Sequence, residues 1–115
     1  MRVDHIAIWT NDLERCAAFY ATHFGAITAP HYVNATKGFQ SCLLSFGGGA
    51  RIEAMSTTKL QPLVVEPGAE RMGVTHIAIS VGSDEKVDRL TIKLPNAGIV
   101  VESGPRGRGT DITKA

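Results

Sequence analysis

The tetrapeptide His-Ile-Ala-Ile stands twice in this chain, at His5-Ile6-Ala7-Ile8 and at His76-Ile77-Ala78-Ile79, followed each time by a polar stretch and an amphipathic helical pattern. The offset of 71 residues makes this an internal repeat. Packing alone accounts for a repeated apolar strand. It does not account for a histidine at the same place in both copies, which points to two related half-domains facing one shared site.

Residues 2 to 9 alternate with the period of a strand, placing Val3, His5, Ala7 and Trp9 on one face and Asp4, Ile6 and Ile8 on the other. Asn11 is a helix cap with Glu14 three residues on, a capping-box-like pattern. Leu13, Cys16, Ala17, Tyr20 and Phe24 then recur at helical spacing as one apolar stripe. Ile6 and Ile8 are the natural surface for that stripe, which leaves the His5 face free to look into a cavity.

Beyond Gly25 the pattern predicts strands at about 26 to 33, 40 to 46 and 50 to 55, with a loop at Asn34 to Gly38 and a turn at Gly47-Gly48-Gly49. Ser56 to Gly73, with Pro62, Pro67 and Gly68, reads as a linker. The second copy gives a strand at 74 to 81, Ser83 as a cap, a helix to about Asn96 with Val87, Leu90 and Leu94 inward, and a strand at about 99 to 102. Gly104-Pro105 then breaks the pattern, and 106 to 115 reads as a loose tail in which nothing around Asp111 suggests a strand. The organisation expected is one domain over 1–105: a first module at 1–55, a linker at 56–73 and a second, shorter module at 74–105.

Charge excludes some partners. With a net charge of +1 and 20 % charged residues there is no basic field for nucleic acid. No apolar run approaches the ~20 residues that span a bilayer, and the chain opens directly into a strand pattern, so the expected setting is cytoplasmic and the expected partner a small molecule. Cys16 and Cys42 have neither disulfide density nor Cys-x-x-Cys spacing and read as small core hydrophobes.

Alternation in Arg51-Ile52-Glu53-Ala54-Met55 puts Glu53 opposite Ile52 and Ala54, where a curling sheet would turn it toward His5. Two imidazoles and a carboxylate suit a divalent transition metal such as zinc, nickel, iron, cobalt or manganese. Repeating the spacing of 48 from His5 to Glu53 places a fourth ligand near position 124, past residue 115. Three protein ligands remain, the number found in open catalytic sites. His23 and His31 have no repeat partner and receive no site role.

The His-Ile-Ala-Ile strand, the Asn-Asp-Leu-Glu-Arg-Cys-Ala-Ala-Phe-Tyr helix start closed by Phe24-Gly25, Ala50-Arg51-Ile52-Glu53 and Gly73-Val74-Thr75-His76-Ile77-Ala78 together resemble the vicinal oxygen chelate superfamily, the group of glyoxalase I, bleomycin resistance proteins and extradiol dioxygenases. The resemblance covers about residues 1 to 105. It implies an α+β fold of paired βαβββ modules curling around a cavity, here with the second module truncated, a divalent metal and a homodimer. It places His5, Glu53 and His76 at the family's first three metal positions and makes Glu53 a candidate base. Where bacterial glyoxalase I carries an arginine for the glutathione carboxylate this chain has Trp9, which argues for a flatter, more aromatic ligand. Trp9, Phe39 and Arg51 are the candidate pocket residues. The function implied is a metal-dependent lyase or isomerase. The alternatives are a metal-free bleomycin-resistance-type binding protein, or an extradiol-type dioxygenase, since two histidines and a carboxylate also form the facial triad of non-haem iron oxygenases.

Overall fold

A strand persists only where a neighbour satisfies its amides and carbonyls, and the first copy of the repeat has such a neighbour. In the computed structural model, which describes residues 1–64, 66–102, 104 and 111–112, the chain divides into two compact units, Met1–Val64 and Val65–Ala115.

The first unit runs β1 (His5–Trp9), α1 (Leu13–Phe24), β2 (Ile27–Thr28), β3 (Tyr32–Asn34), β4 (Phe39–Ser45) and β5 (Arg51–Thr57). These strands form a five-stranded sheet in the order β1-β5-β4-β2, with β3 also paired to β4. β1 runs parallel to β5, while β5, β2 and β3 run antiparallel to β4. The parallel pair places His5 beside Arg51 and Ala7 beside Glu53, and the antiparallel pair places Leu43 beside Glu53. Side chains at paired positions share a face. One face therefore holds Ile6, Ile8, Ile52, Ala54, Cys42 and Leu44, and the other holds His5, Trp9, Arg51, Glu53, Leu43 and Phe39.

Helix α1 covers the first of these faces. Leu13 and Ala17 are buried with Ile52, Ala54, Cys42 and Leu44, and Leu44 has no exposed surface. The helix packs on β4 and β5 in the middle of the sheet. Ile6, expected beneath the helical stripe, lies on the edge strand β1 and keeps 40 % of its surface exposed. Asp12, one residue later than expected, caps the helix by accepting the Arg15 amide at 3.0 Å, and the Asp12 amide donates to Thr10 Oγ1. Gly25 closes it in the left-handed region (φ 67°), where a side chain would be strained. Burial pushes both cysteine thiols up from their ordinary value, so neither is poised as a nucleophile.

The strand expected over 26 to 33 is split, and the split moves a side chain. Thr28 pairs with Leu44 and Tyr32 with Ser41, so three residues of the edge strand, Ala29, Pro30 and His31, face two of β4. This is a β-bulge at a proline that has no amide to give to a ladder. The Ala29 amide still donates to the Leu43 carbonyl, and the Cys42 thiol donates to the Ala29 carbonyl. Without the extra residue Tyr32 would share the face of Thr28, under the helix. The bulge turns it to the open face beside Ser41.

The second unit holds β6 (Ile79–Ser80), α2 (Asp84–Asn96) and β7 (Asp111–Ile112). Ser83 caps α2 as expected, accepting the Lys86 amide at 3.2 Å, and Val87 and Leu94 are buried while Leu90 is half-buried. Residues 74 to 78, expected as strand, are not in one, and no strand forms over 99 to 102. Asp111–Ile112, expected within a tail without strand, pair antiparallel with β6, Ile79 beside Ile112. The rest of the tail expected over 106 to 115 lies outside the described residues. No helix among the described residues is long and apolar enough to cross a membrane.

Candidate functional site

The sheet face of the first unit that α1 leaves uncovered carries the titratable groups. His5 sits at the start of β1 and Glu53 in the middle of β5, on the same face and two positions apart along adjacent strands, which sets their Cα atoms roughly 8 Å apart by strand geometry. β5 is an internal strand between β1 and β4. Glu53 is accordingly no solvated edge residue. It is half-buried between Ala7 and Leu43 and has no hydrogen-bond or ion-pair partner among the described residues.

His5 is oriented by its sequence neighbour. Its Nδ1 lies 2.8 Å from Asp4 Oδ2, and the Arg51 guanidinium donates to the same oxygen at 2.6 Å. Alternation assigned Asp4 to the helix-side face, but β1 begins at His5, so the strand's alternation does not bind Asp4 and its carboxylate swings to His5 and Arg51. The hydrogen bond from His5, then that from Arg51, lowers the Asp4 carboxyl to about 2. An ionised carboxylate only accepts, so Nδ1 is the donor to Asp4, and Nε2 is the ring nitrogen left for a ligand. A carboxylate behind a histidine in this way fixes its tautomer and raises its basicity as a ligand.

His76, the third candidate ligand, lies in the second unit, where its Nδ1 is 3.1 Å from the Thr75 hydroxyl. Within either unit, among the described residues, no group of three or more His, Cys, Asp and Glu side chains is arranged to hold a metal ion. The first unit thus brings together two of the three predicted donors, His5 and Glu53.

At the Trp9 end of the same face lies a concavity of about 510 Å³, within the range of small-molecule pockets. Its aromatic lining is Trp9, Phe39 and Tyr32, with Phe39 in edge contact with Trp9 (centroids 6.4 Å) and with Tyr32 (6.1 Å). Asn34, Lys37, Thr57 and Lys59 complete it. Of the pocket residues expected from sequence, Trp9 and Phe39 line the concavity and Arg51 does not, being engaged with Asp4 at the other end of the β1–β5 pair. Sequence reasoning missed Asp4, Tyr32 and the two lysines. The signal for Tyr32 was Pro30, which interrupts the strand pattern. The lysines lie in turns, where periodicity gives no direction.

The profile of the Glyoxalase/Bleomycin resistance protein/Dioxygenase superfamily matches residues 2–113. Among solved structures the chain is similar to the trypanothione-dependent glyoxalase I of Leishmania major, at 17 % identity over 99 % of this chain and 85 % of that chain with a TM-score of 0.75. It is similar also to SMU.1112c, at 19 % identity over 83 % and 75 % with a TM-score of 0.66. These two likenesses concern the fold. Methylmalonyl-CoA epimerase from Mycobacterium tuberculosis is 30 % identical over 49 % of this chain, with a TM-score of 0.43, and the match spans 38 % of that protein's length. No curated protein matches the chain in sequence.

Proposed function

Because the chain belongs to the glyoxalase, bleomycin resistance protein and dioxygenase superfamily, we propose that it is a glyoxalase-like, metal-dependent lyase or isomerase acting on a small substrate with vicinal oxygens. The observation that carries this reading is the pair on the open face: a histidine whose Nδ1 donates to Asp4, and a half-buried carboxylate on an internal strand with no partner among the described residues. Burying an unpaired carboxylate costs stability, and a ligand that uses it offsets that cost. His5 Nε2 and Glu53 fit a divalent cation of the zinc, nickel, iron, cobalt or manganese type, with His76 as the proposed third donor.

Such a cation, when bound, supplies Lewis acidity toward an oxygen-rich substrate. The chain's own residues do the rest. Arg51 holds Asp4, Asp4 holds the proton on His5 Nδ1, and Glu53 offers a carboxylate oxygen to take a proton from a carbon beside a carbonyl. Trp9 and Phe39 present apolar surface to the substrate. A homodimer is part of the same reading: the edge strand β1 leaves Ile6 exposed, and Val33 on β3 is 59 % exposed.

The test is metal content after purification without chelator or affinity-tag metal. Near-stoichiometric zinc, nickel or iron that is lost in both His5→Ala and His76→Ala supports the reading, and turnover of dicarbonyl or enolisable substrates should then disappear in Glu53→Gln. Protein that takes up none of these metals would sink it. A second reading, a metal-free binding protein of the bleomycin-resistance type, is favoured by the aromatic concavity at the opposite end of β1 from His5. It predicts ligand binding that is indifferent to both histidine substitutions.

A further inference from the structure

The geometry points to a binding site for a planar aromatic anion in the concavity formed by Trp9, Tyr32, Phe39, Lys37 and Lys59. The inference deepens the proposed function by naming a substrate class for the same open face, and it rests on that reading only for calling the ligand a substrate.

Two independent features meet there. The first is an aromatic cup in which a half-buried Phe39 stands between Trp9 and Tyr32, which are 54 % and 57 % exposed. Large rings left in water beside one another make a surface suited to stacking a flat ring. The β-bulge at Ala29–His31 is what brings Tyr32 to this face, so the cup depends on a specific backbone feature.

The second is its charge. Lys37 and Lys59 both line the concavity, none of its lining residues is acidic, and neither ammonium has an ion-pair or hydrogen-bond partner among the described residues. Flexible surface turns would let two like charges drift apart. Here the two turns are fastened together. The Thr58 amide donates to the Gly38 carbonyl at 3.1 Å, and the Gly38 amide donates to the Ala35 carbonyl. A Cβ on Gly38 would stand 2.5 Å from Thr58 Oγ1, and its φ of 61° is itself unfavourable for other residues. This contact is made by the residue after Lys37 and the residue before Lys59. It anchors side by side the two turns from which both lysines reach the rim, where an anionic group attached to a stacked ring would meet them.

The probe is 4-nitrobenzoate, titrated into the metal-free full chain. Trp9 is the only tryptophan, so quenching of its emission reports the cup directly. Saturable quenching is expected, with affinity about tenfold or more above that for neutral 4-nitrobenzamide. In the Lys37→Met/Lys59→Met double variant that advantage should vanish while amide binding and the far-ultraviolet circular dichroism stay unchanged. Equal affinities for acid and amide in the parent chain, or an advantage that survives the double substitution, would overturn the anionic part. Cyclohexanecarboxylate binding as tightly as 4-nitrobenzoate, measured by calorimetry, would overturn the aromatic part. 4-Nitrophenyl phosphate distinguishes a carboxylate from a phosphate as the anionic group, and tighter binding of either keeps the site. The two proposals fail separately: metal uptake without 4-nitrobenzoate binding removes this site alone, and binding that persists in a chain without metal uptake removes the lyase or isomerase reading alone.

Discussion

Asp4-His5-Ile6-Ala7-Ile8 and Thr75-His76-Ile77-Ala78-Ile79 differ by one residue, yet the first makes a strand from His5 to Trp9 and the second only from Ile79 to Ser80. The difference lies in the partner. His5–Trp9 lie along Arg51–Met55 in a five-residue parallel register, and β5 is itself fixed by β4 on its other side. β6 meets Asp111–Ile112 over two residues, and the described residues of its unit hold no further strand. Strand propensity measures how well a segment fits a pleated surface already present, and the same four residues meet such a surface once. The one residue that differs has its own consequence: Asp4 can only accept from its histidine, whereas the Thr75 hydroxyl donates or accepts and leaves the tautomer of His76 open.

The largest effect should come from removing what holds the first partner in place. Leu44 is fully buried on the helix side of β4, opposite Ile52. Leu44→Ala should cost about 2–5 kcal/mol through lost burial and the cavity left behind. Urea unfolding would show this as a lower midpoint, and a loss below about 1 kcal/mol would mean that the sheet does not depend on this layer.

Next in size is the effect of the residue in front of each histidine. If Asp4 orients His5 as a ligand, Asp4→Ala should weaken metal binding by about 10- to 100-fold. Thr75→Ala should weaken it much less, because the hydroxyl imposes no tautomer. Competition with a chromophoric chelator measures both, and equal effects would show that the Asp4 contact does not distinguish the two copies.

Hydrogen exchange compares the strands directly. The amides of Ile6 and Ile8, which face β5 as Asp4 and Thr10 do, should exchange at least about tenfold more slowly than those of 74–78, since exchange follows local hydrogen bonding and opening. Equal protection would mean that residues 74–78 share the ladder their sequence suggests.

What the sequence discloses follows from where parity applies. In β1 and β5 it is uninterrupted, so the common face of His5 and Glu53 is legible from alternation alone. In the segment from Ile27 to Asn34 it fails at Pro30, and Tyr32 changes sides. The cap of α1 slips from Asn11 to Asp12 because both are good caps and the choice is made by Thr10 Oγ1, which accepts the Asp12 amide. Asp4 was misplaced because it stands one residue before the strand begins. The lysine rim was hidden for another reason: Lys37 and Lys59 are far apart in sequence and meet through the Gly38–Thr58 contact, which no periodicity encodes. His76 shares its motif with His5 but lies in the other unit, and a face assigned within one sheet carries no information about donors from outside it.

The smallest effect is also the most direct probe of the first copy's distinguishing residue. In the metal-free chain the Asp4 carboxyl should titrate near 2, followed by its carboxyl carbon resonance. The lowering comes first from the His5 hydrogen bond and then from Arg51, so Arg51→Ala should move the midpoint upward, part of the way toward the ordinary 3.8. The sign for stability follows from linkage: a carboxyl that is more acidic when folded contributes stability above its unfolded value and loses it as pH falls through the folded one, here between about 4 and 2. Asp4 is solvent-exposed, so that contribution is small, and the resonance reports it better than an unfolding curve. An unchanged midpoint in Arg51→Ala would mean that Arg51, although it donates to Asp4, does not set the acidity of that carboxyl.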